Sequence, residues 1–277
     1  MSRNLIHPKL KSILADKKSG SSLLLKKINT ILKEQNDPSS VKKYFPILRA
    51  HFKPFQNIQS YLNNLEPLLS NKNLRRKYFE EFEHRDEESV EIIYKRALPY
   101  LLNKNIILTL SNSGSVAKLL YKLSNKKRRL IIVSESRPMF EGRIFAKDIQ
   151  KRGYNVEMIT ESMMADAVKR CGCILTGADK ILRNKNAVNK MGSLQLAILA
   201  KYFKKPFYVI ADKSKFDKSV RSVQSLQESN EIWPNRPGKI RIKNLYFEEV
   251  PKSLITKIFT DKKNPGSRRK RRLSGQL

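Results

Sequence analysis

Cysteine is nearly absent from this chain: Cys171 and Cys173, one residue apart, are its only two. With three histidines they build neither a disulfide framework nor a four-ligand zinc site in any familiar spacing. The expectation is a chain without metal or cofactor in a reducing, cytoplasmic setting. Long apolar runs are missing too, and none approaches the roughly 18 residues that a membrane span needs. The opening MSRNLIHPKLKSILADKK has no apolar core and does not read as a secretory leader. Ten glycines and twelve prolines exclude a collagen-like repeat, and a hydrophobic share of 40% excludes a wholly disordered chain.

Acidic residues are scarce. Asp and Glu number 25 against 57 Lys and Arg, so the net charge is +32. Such a surface attracts anions: nucleic acid, phosphorylated metabolites, acidic proteins or anionic lipid. The lysines are scattered along the chain, often beside Asn, which is also what a biased composition leaves. The partner expectations that follow are a phosphorylated sugar or nucleotide, with nonspecific nucleic-acid contact through the basic surface and the basic C-terminal tail.

What is present is a change of periodicity. The 277 residues suffice for one large domain or two small ones. Leu10, Ile13 and Leu14 have helical spacing, and Leu24, Ile28, Ile31 and Leu32 repeat it after a Gly20-Ser21-Ser22 start signal. Ile58, Tyr61, Leu62, Leu65, Leu68 and Leu69 form another stripe, which Pro67 should bend or end. Val90, Ile93, Tyr94, Ala97 and Leu98 form a fourth. From residue 106 short apolar strands alternate with helical stretches: strands near 106–110, 130–133, 156–159, 171–176 and 207–211, with a late one near 240–247. That alternation predicts βαβ crossovers and a mainly parallel sheet. The expected fold is α/β: an N-terminal helical domain over 1–104 and a Rossmann-like domain over 105–261. A disordered basic tail over 262–277 carries RRKRR at 268–272 and has little to bury.

Ligands of open parallel sheets bind beyond the carboxyl ends of the strands. Four polar segments leave such ends here. Ser111-Asn112-Ser113-Gly114 reads as a phosphate seat at a helix start or as an ordinary cap. Arg137 and Arg143, in ESRPMFEGR, can clamp phosphate or carboxylate, or hold Glu135. Asp179 can orient a hydroxyl, shuttle a proton or cap a turn. Asn189 and Lys190 open a predicted helix and suit a sugar hydroxyl and a phosphate, and Lys215 follows the fifth strand. Neither GxGxxG nor GxxxxGK[ST] occurs, which weakens dinucleotide binding and nucleotide hydrolysis. The segments predict one pocket for a small phosphorylated molecule, with Ser111, Arg137, Asp179, Asn189 and Lys215 around it.

ILTLSNSG, SESRPMFEGR, TGADKILRNKNAVNKMGSLQLAILAKYFKKPFYVIAD and SKF resemble, in order and spacing, the regulatory-subunit family of translation initiation factor two-B. That family also contains methylthioribose-1-phosphate and ribose-1,5-bisphosphate isomerases. The resemblance covers residues 105–260 strongly and the N-terminal helices weakly. It implies dimer-based assembly through the C-terminal domain, as a homodimer or with related subunits. It also implies that a Cys after the first strand and an Asp after the fourth act as the isomerases' acid/base pair, which places Ser111 and Asp179 in those positions. A Ser hydroxyl is a poor unaided proton-transfer group. The family's Arg-Gly-Ala phosphate grip is matched only by Lys18-Ser19-Gly20-Ser21-Ser22, so Gly20, Ser21 and Ser22 are the expected anion seat with Asn112 and Ser113. Both departures lead to the expectation of a regulatory-subunit-like protein that binds a sugar phosphate or nucleotide with little catalysis. The alternative is an aldose–ketose isomerase acting on a ribose 1-phosphate derivative.

Overall fold

The computed structural model describes residues 7–35, 37–123, 129–222 and 224–262. The basic tail expected over 262–277 lies, but for its first residue, outside the described residues. Six helices come first: α1 Pro8–Leu14, α2 Ser21–Glu34, α3 Pro38–His51, α4 Gln56–Leu65, α5 Lys72–Glu80 and α6 Phe82–Leu101. The leucine and isoleucine stripes bury Leu10, Leu24, Ile28, Leu32, Ile58 and Leu62 in one cluster, joined by Val41, Phe45 and Leu48 of α3. Pro67 ends α4 at Leu65, and the chain continues as a short 3₁₀ turn. Helix α3 was not predicted, although Asp37 caps it by accepting from the Ser39 and Ser40 N–H groups and Pro38 occupies its first turn.

The sheet-forming elements follow: β1 Ile106–Thr109, α7 Gly114–Leu123, β2 Leu130–Ser134, α8 Glu141–Lys151, β3 Asn155–Ile159, α9 Met164–Arg170 and β4 Cys173–Gly177. After these come β5 Lys180–Ile181, β6 Ala187–Lys190, α10 Ser193–Tyr202, β7 Phe207–Ile210, β8 Phe247–Val250 and β9 Lys257–Phe259. Six strands form a parallel sheet in the order β3-β2-β1-β4-β7-β9. The α/β fold is therefore a helical N-terminal region followed by a parallel sheet.

Successive strand residues face opposite sides. Ile107, Ile131 and Cys173 join one apolar cluster with α6, α7 and α8, whereas Leu108, Ile132 and Ile174 join another with α9 and α10. Cys171 and Cys173 are buried core thiols, pushed up to about 11 and about 12 by burial. No helix among the described residues is long and apolar enough to cross a membrane.

Two local expectations are corrected. Asn189 and Lys190 end a strand rather than open a helix, because β6 pairs antiparallel with β8, Lys190 opposite Phe247. The late strand lies at Phe247–Val250, not 240–247, because only that stretch finds β6 as a partner.

Candidate functional site

The strand order reverses direction between β1 and β4, and the segments leaving those two strands line a cavity of about 720 Å³. The loop between α1 and α2, the end of α3 and the residues after β7 add to its wall. Of the residues singled out in the sequence, Gly20, Ser21, Ser22, Ser111, Asn112, Ser113, Asp179, Asn189, Lys190 and Lys215 line this cavity together.

Arg137 and Arg143 do not line it. Both guanidinium groups sit over the Phe140 ring, 5.1 and 4.2 Å from its centroid. Arg143 Nε also donates to Glu135 Oε1 at 2.8 Å. Stacking and that ion pair hold the two arginines beside the loop instead of at the cavity.

The helix starts bring backbone donors to the cavity. Gly20 precedes α2 without a side-chain cap, which leaves first-turn N–H groups of Ser21 and Ser22 facing an anion-friendly helix terminus. A Cβ at Gly20 would lie 2.5 Å from the Asn112 carbonyl oxygen, so only glycine allows the α2 start to abut the loop that begins α7. Behind that loop, Ser111 adopts φ 64° and its N–H donates to Ser136 Oγ at 2.8 Å. Ser136 is itself left-handed, with φ 65°. Two non-glycine residues in this strained region hold the ends of β1 and β2 together.

Asp179 follows β4. Its N–H donates to Val188 O at 2.8 Å and its carbonyl accepts from Gln56 N–H at 3.3 Å, which fixes the loop between β6 and α4. Lys215 Nζ lies 3.9 Å from Asp179 Oδ1 and donates to Ser21 Oγ at 2.5 Å. Burial raises the Asp179 carboxyl above the usual range, and Lys215, the Ser21 hydroxyl and Lys190 pull against it. The net direction is upward, with a buried ammonium beside the carboxyl.

A second acid–lysine pair shares the cavity, and the sequence did not single out its acid. Lys190 Nζ donates to Glu141 Oε1 at 2.6 Å, with only 5% and 11% of the two side chains exposed. Burial raises Glu141 as well, opposed by Lys190. Gly142 makes this placement feasible, since a Cβ there would lie 1.9 Å from the Ser134 carbonyl oxygen. Tyr246 was also missed. Lys190 Nζ sits 4.8 Å from its ring centroid, and its hydroxyl donates to Glu231 Oε2 at 2.5 Å. Glu231 in turn takes Lys17 Nζ at 2.9 Å, tying the long segment before β8 to the loop between α1 and α2. Phe55 and Phe247, 5.6 Å apart edge to face, add an apolar stretch of wall. Cations, helix starts, two buried carboxyls and an aromatic stretch suit a phosphorylated sugar and proton transfer on it.

Comparison with known proteins supplies an independent view. The sequence pattern of the Initiation factor 2 subunit family matches residues 14–263. Methylthioribose-1-phosphate isomerase of Bacillus pumilus is 33% identical over 199 residues, 64% of this chain and 56% of that protein. The chain thus spans just over half the length of that relative. Methylthioribose-1-phosphate isomerase of Thermotoga maritima is 29% identical over 271 residues, covering 90% of this chain and 76% of the relative. Among solved structures, translation initiation factor eIF-2B of Pyrococcus horikoshii OT3 superposes with a TM-score of 0.77 at 24% identity, covering 91% of this chain and 93% of its own. The 5-methylthioribose 1-phosphate isomerase of the same organism gives 0.72 at 20% identity, covering 91% and 82%. At those identities the two structures share the fold. The isomerase names among bacterial relatives overturn the expectation of a regulatory protein with little catalysis. That expectation leaned on Ser111 and on the altered segment over 18–22, whereas the cavity carries two carboxyl groups held up by burial.

Proposed function

We propose that this chain, which belongs to the Initiation factor 2 subunit family, is an aldose–ketose isomerase acting on a ribose 1-phosphate derivative. One observation carries the reading: Asp179, raised by burial, stands in the cavity 3.9 Å from Lys215, which itself reaches Ser21 at the start of α2. A proton donor and an anion seat therefore share one cavity wall.

The phosphate is placed at the α2 and α7 starts, on Gly20, Ser21, Ser22, Asn112 and Ser113, with Lys215 as its nearest cation. Asn189 holds a sugar hydroxyl. Its Nδ2 donates to Ser193 Oγ at 2.9 Å, which orients the amide and leaves its oxygen as acceptor. Asp179 gives a proton to the ring oxygen as the sugar opens. The product differs from the substrate only in the placement of two hydrogens and the ring bond, so the reaction needs no oxidant.

Self-association belongs to the same reading. It is supported by Ile198 and Tyr202, which are 53% and 77% exposed on α10.

The test is an initial-rate assay of the native protein with methylthioribose 1-phosphate and with ribose 1,5-bisphosphate, beside Asp179→Asn. Conversion of one of them to its ketose, reduced on the order of 10²- to 10⁴-fold in Asp179→Asn, is the expected result. Native protein inert toward both sugars overturns the reading.

A further inference from the structure

Isomerising an aldose 1-phosphate moves two hydrogens. One passes from the 2-hydroxyl to the ring oxygen, and the other passes from carbon 2 to carbon 1. Asp179 accounts for the first. When the second moves as a proton, a group must accept it from carbon 2 and return it to carbon 1. Ser111 is unsuited, because its hydroxyl ionises far above neutral pH.

Glu141 has the required features. It lines the cavity, it is 8% exposed, and its Oε1 is held by Lys190 Nζ at 2.6 Å. Its Oε2 is buried and has no hydrogen-bond partner among the described residues. An unpaired buried carboxylate oxygen is costly to leave unsatisfied. A glutamate serving only to complement the start of α8 or to pair with Lys190 would gain by satisfying both oxygens or by reaching water. Burial and Lys190 act on this carboxyl in opposite directions, as a group that must both take and return a proton requires.

We propose that Glu141 is the second proton-transfer group, its carboxylate taking the hydrogen from sugar carbon 2 and returning it to carbon 1. This assignment rests on the isomerase reading above. The step balances as follows. Asp179, protonated, gives its proton to the ring oxygen while the bond from carbon 1 to that oxygen breaks, its electron pair going to the oxygen. Glu141, ionised and held by Lys190, takes the proton from carbon 2, and the freed pair forms the double bond between carbons 1 and 2. The Asp179 carboxylate then takes the 2-hydroxyl proton, and that pair becomes the carbonyl at carbon 2. The double-bond pair collects the proton from Glu141 at carbon 1. Both carboxyls return to their starting states.

The experiment compares native protein, Glu141→Gln and Glu141→Asp with the sugar that the native protein turns over, in H₂O and in D₂O, with the melting temperature of each variant recorded. Glu141→Gln keeps an amide oxygen for Lys190 and removes the base. The expected result is a kcat lower by about 10²- to 10⁴-fold with KM within about threefold, and partial recovery in Glu141→Asp. Deuterium entering at carbon 1 of the native product in D₂O supports the step, because it marks a hydrogen that left carbon 2 as an exchangeable proton. Glu141→Gln turning over within about threefold of native, or losing rate wholly through KM, overturns the assignment and leaves the isomerase reading standing. Native protein inert toward both sugars defeats the isomerase reading itself, and the assignment with it.

Discussion

Lys190 Nζ lies 2.6 Å from Glu141 Oε1 inside the same cavity in which Lys215 Nζ stands 3.9 Å from Asp179 Oδ1. Two carboxyl–ammonium pairs thus face one volume, where the charged form of each acid is penalised by burial and supported by its lysine.

Breaking the tighter pair should be costly to folding. Lys190→Met leaves Glu141 as a buried charge without its partner, and the expected loss is about 3–5 kcal/mol in denaturant unfolding. The double variant Lys190→Met/Glu141→Leu should recover most of that loss, because it removes both desolvation penalties. An exposed pair such as Lys9 and Glu34, with 59% and 40% of the side chains exposed, should give less than about 1 kcal/mol in the same cycle. Equal losses in the single and double Lys190 variants would contradict the placement of the pair.

Lys215→Met tests the electrostatics at Asp179. Lys215 lowers the Asp179 carboxyl against burial, so its removal raises that carboxyl further. A donor that stays protonated to higher pH keeps working to higher pH. The alkaline limb of the kcat profile should therefore move upward, even as kcat falls through loss of the phosphate's cation. An unmoved or downward-shifted limb would show that Asp179 is not the donor whose ionisation is read.

Gly20→Ala tests the anion seat. The added Cβ would meet the Asn112 carbonyl oxygen at 2.5 Å, so the α2 start and the loop before α7 must separate. A misplacement near 1 Å is expected to raise KM for the sugar phosphate by more than about tenfold and to lower the melting temperature by several degrees. Native KM in this variant would remove the α2 start from the site.

The sequence carried the scaffold well where local pattern decides structure. The stripe from Leu24 to Leu32 and the apolar runs at Ile106–Thr109 and Leu130–Ser134 appear where their spacing put them. Distant pairing was not legible. The strand holding Asn189 and Lys190 exists because residues 247–250 lie beside it, and no local signal gives that register. Glu141 was hidden for the same reason. An acid in the first turn of a helix reads as a complement to the helix dipole, and only the fold brings Lys190, 49 residues away, to its carboxylate. Arg137 and Arg143 failed in the opposite way: their position after β2 suggested the cavity, but the Phe140 ring and Glu135 claim their guanidinium groups.

Catalysis must run in both directions toward one equilibrium, which gives the most direct measurement. Phosphorus NMR should follow the native protein with methylthioribose 1-phosphate in one tube and the corresponding ketose 1-phosphate in another. The account predicts that both tubes reach the same ratio of aldose to ketose, at rates proportional to protein concentration and abolished or severely slowed in Asp179→Asn. Two tubes that keep their starting compounds while native protein binds the sugars would contradict it.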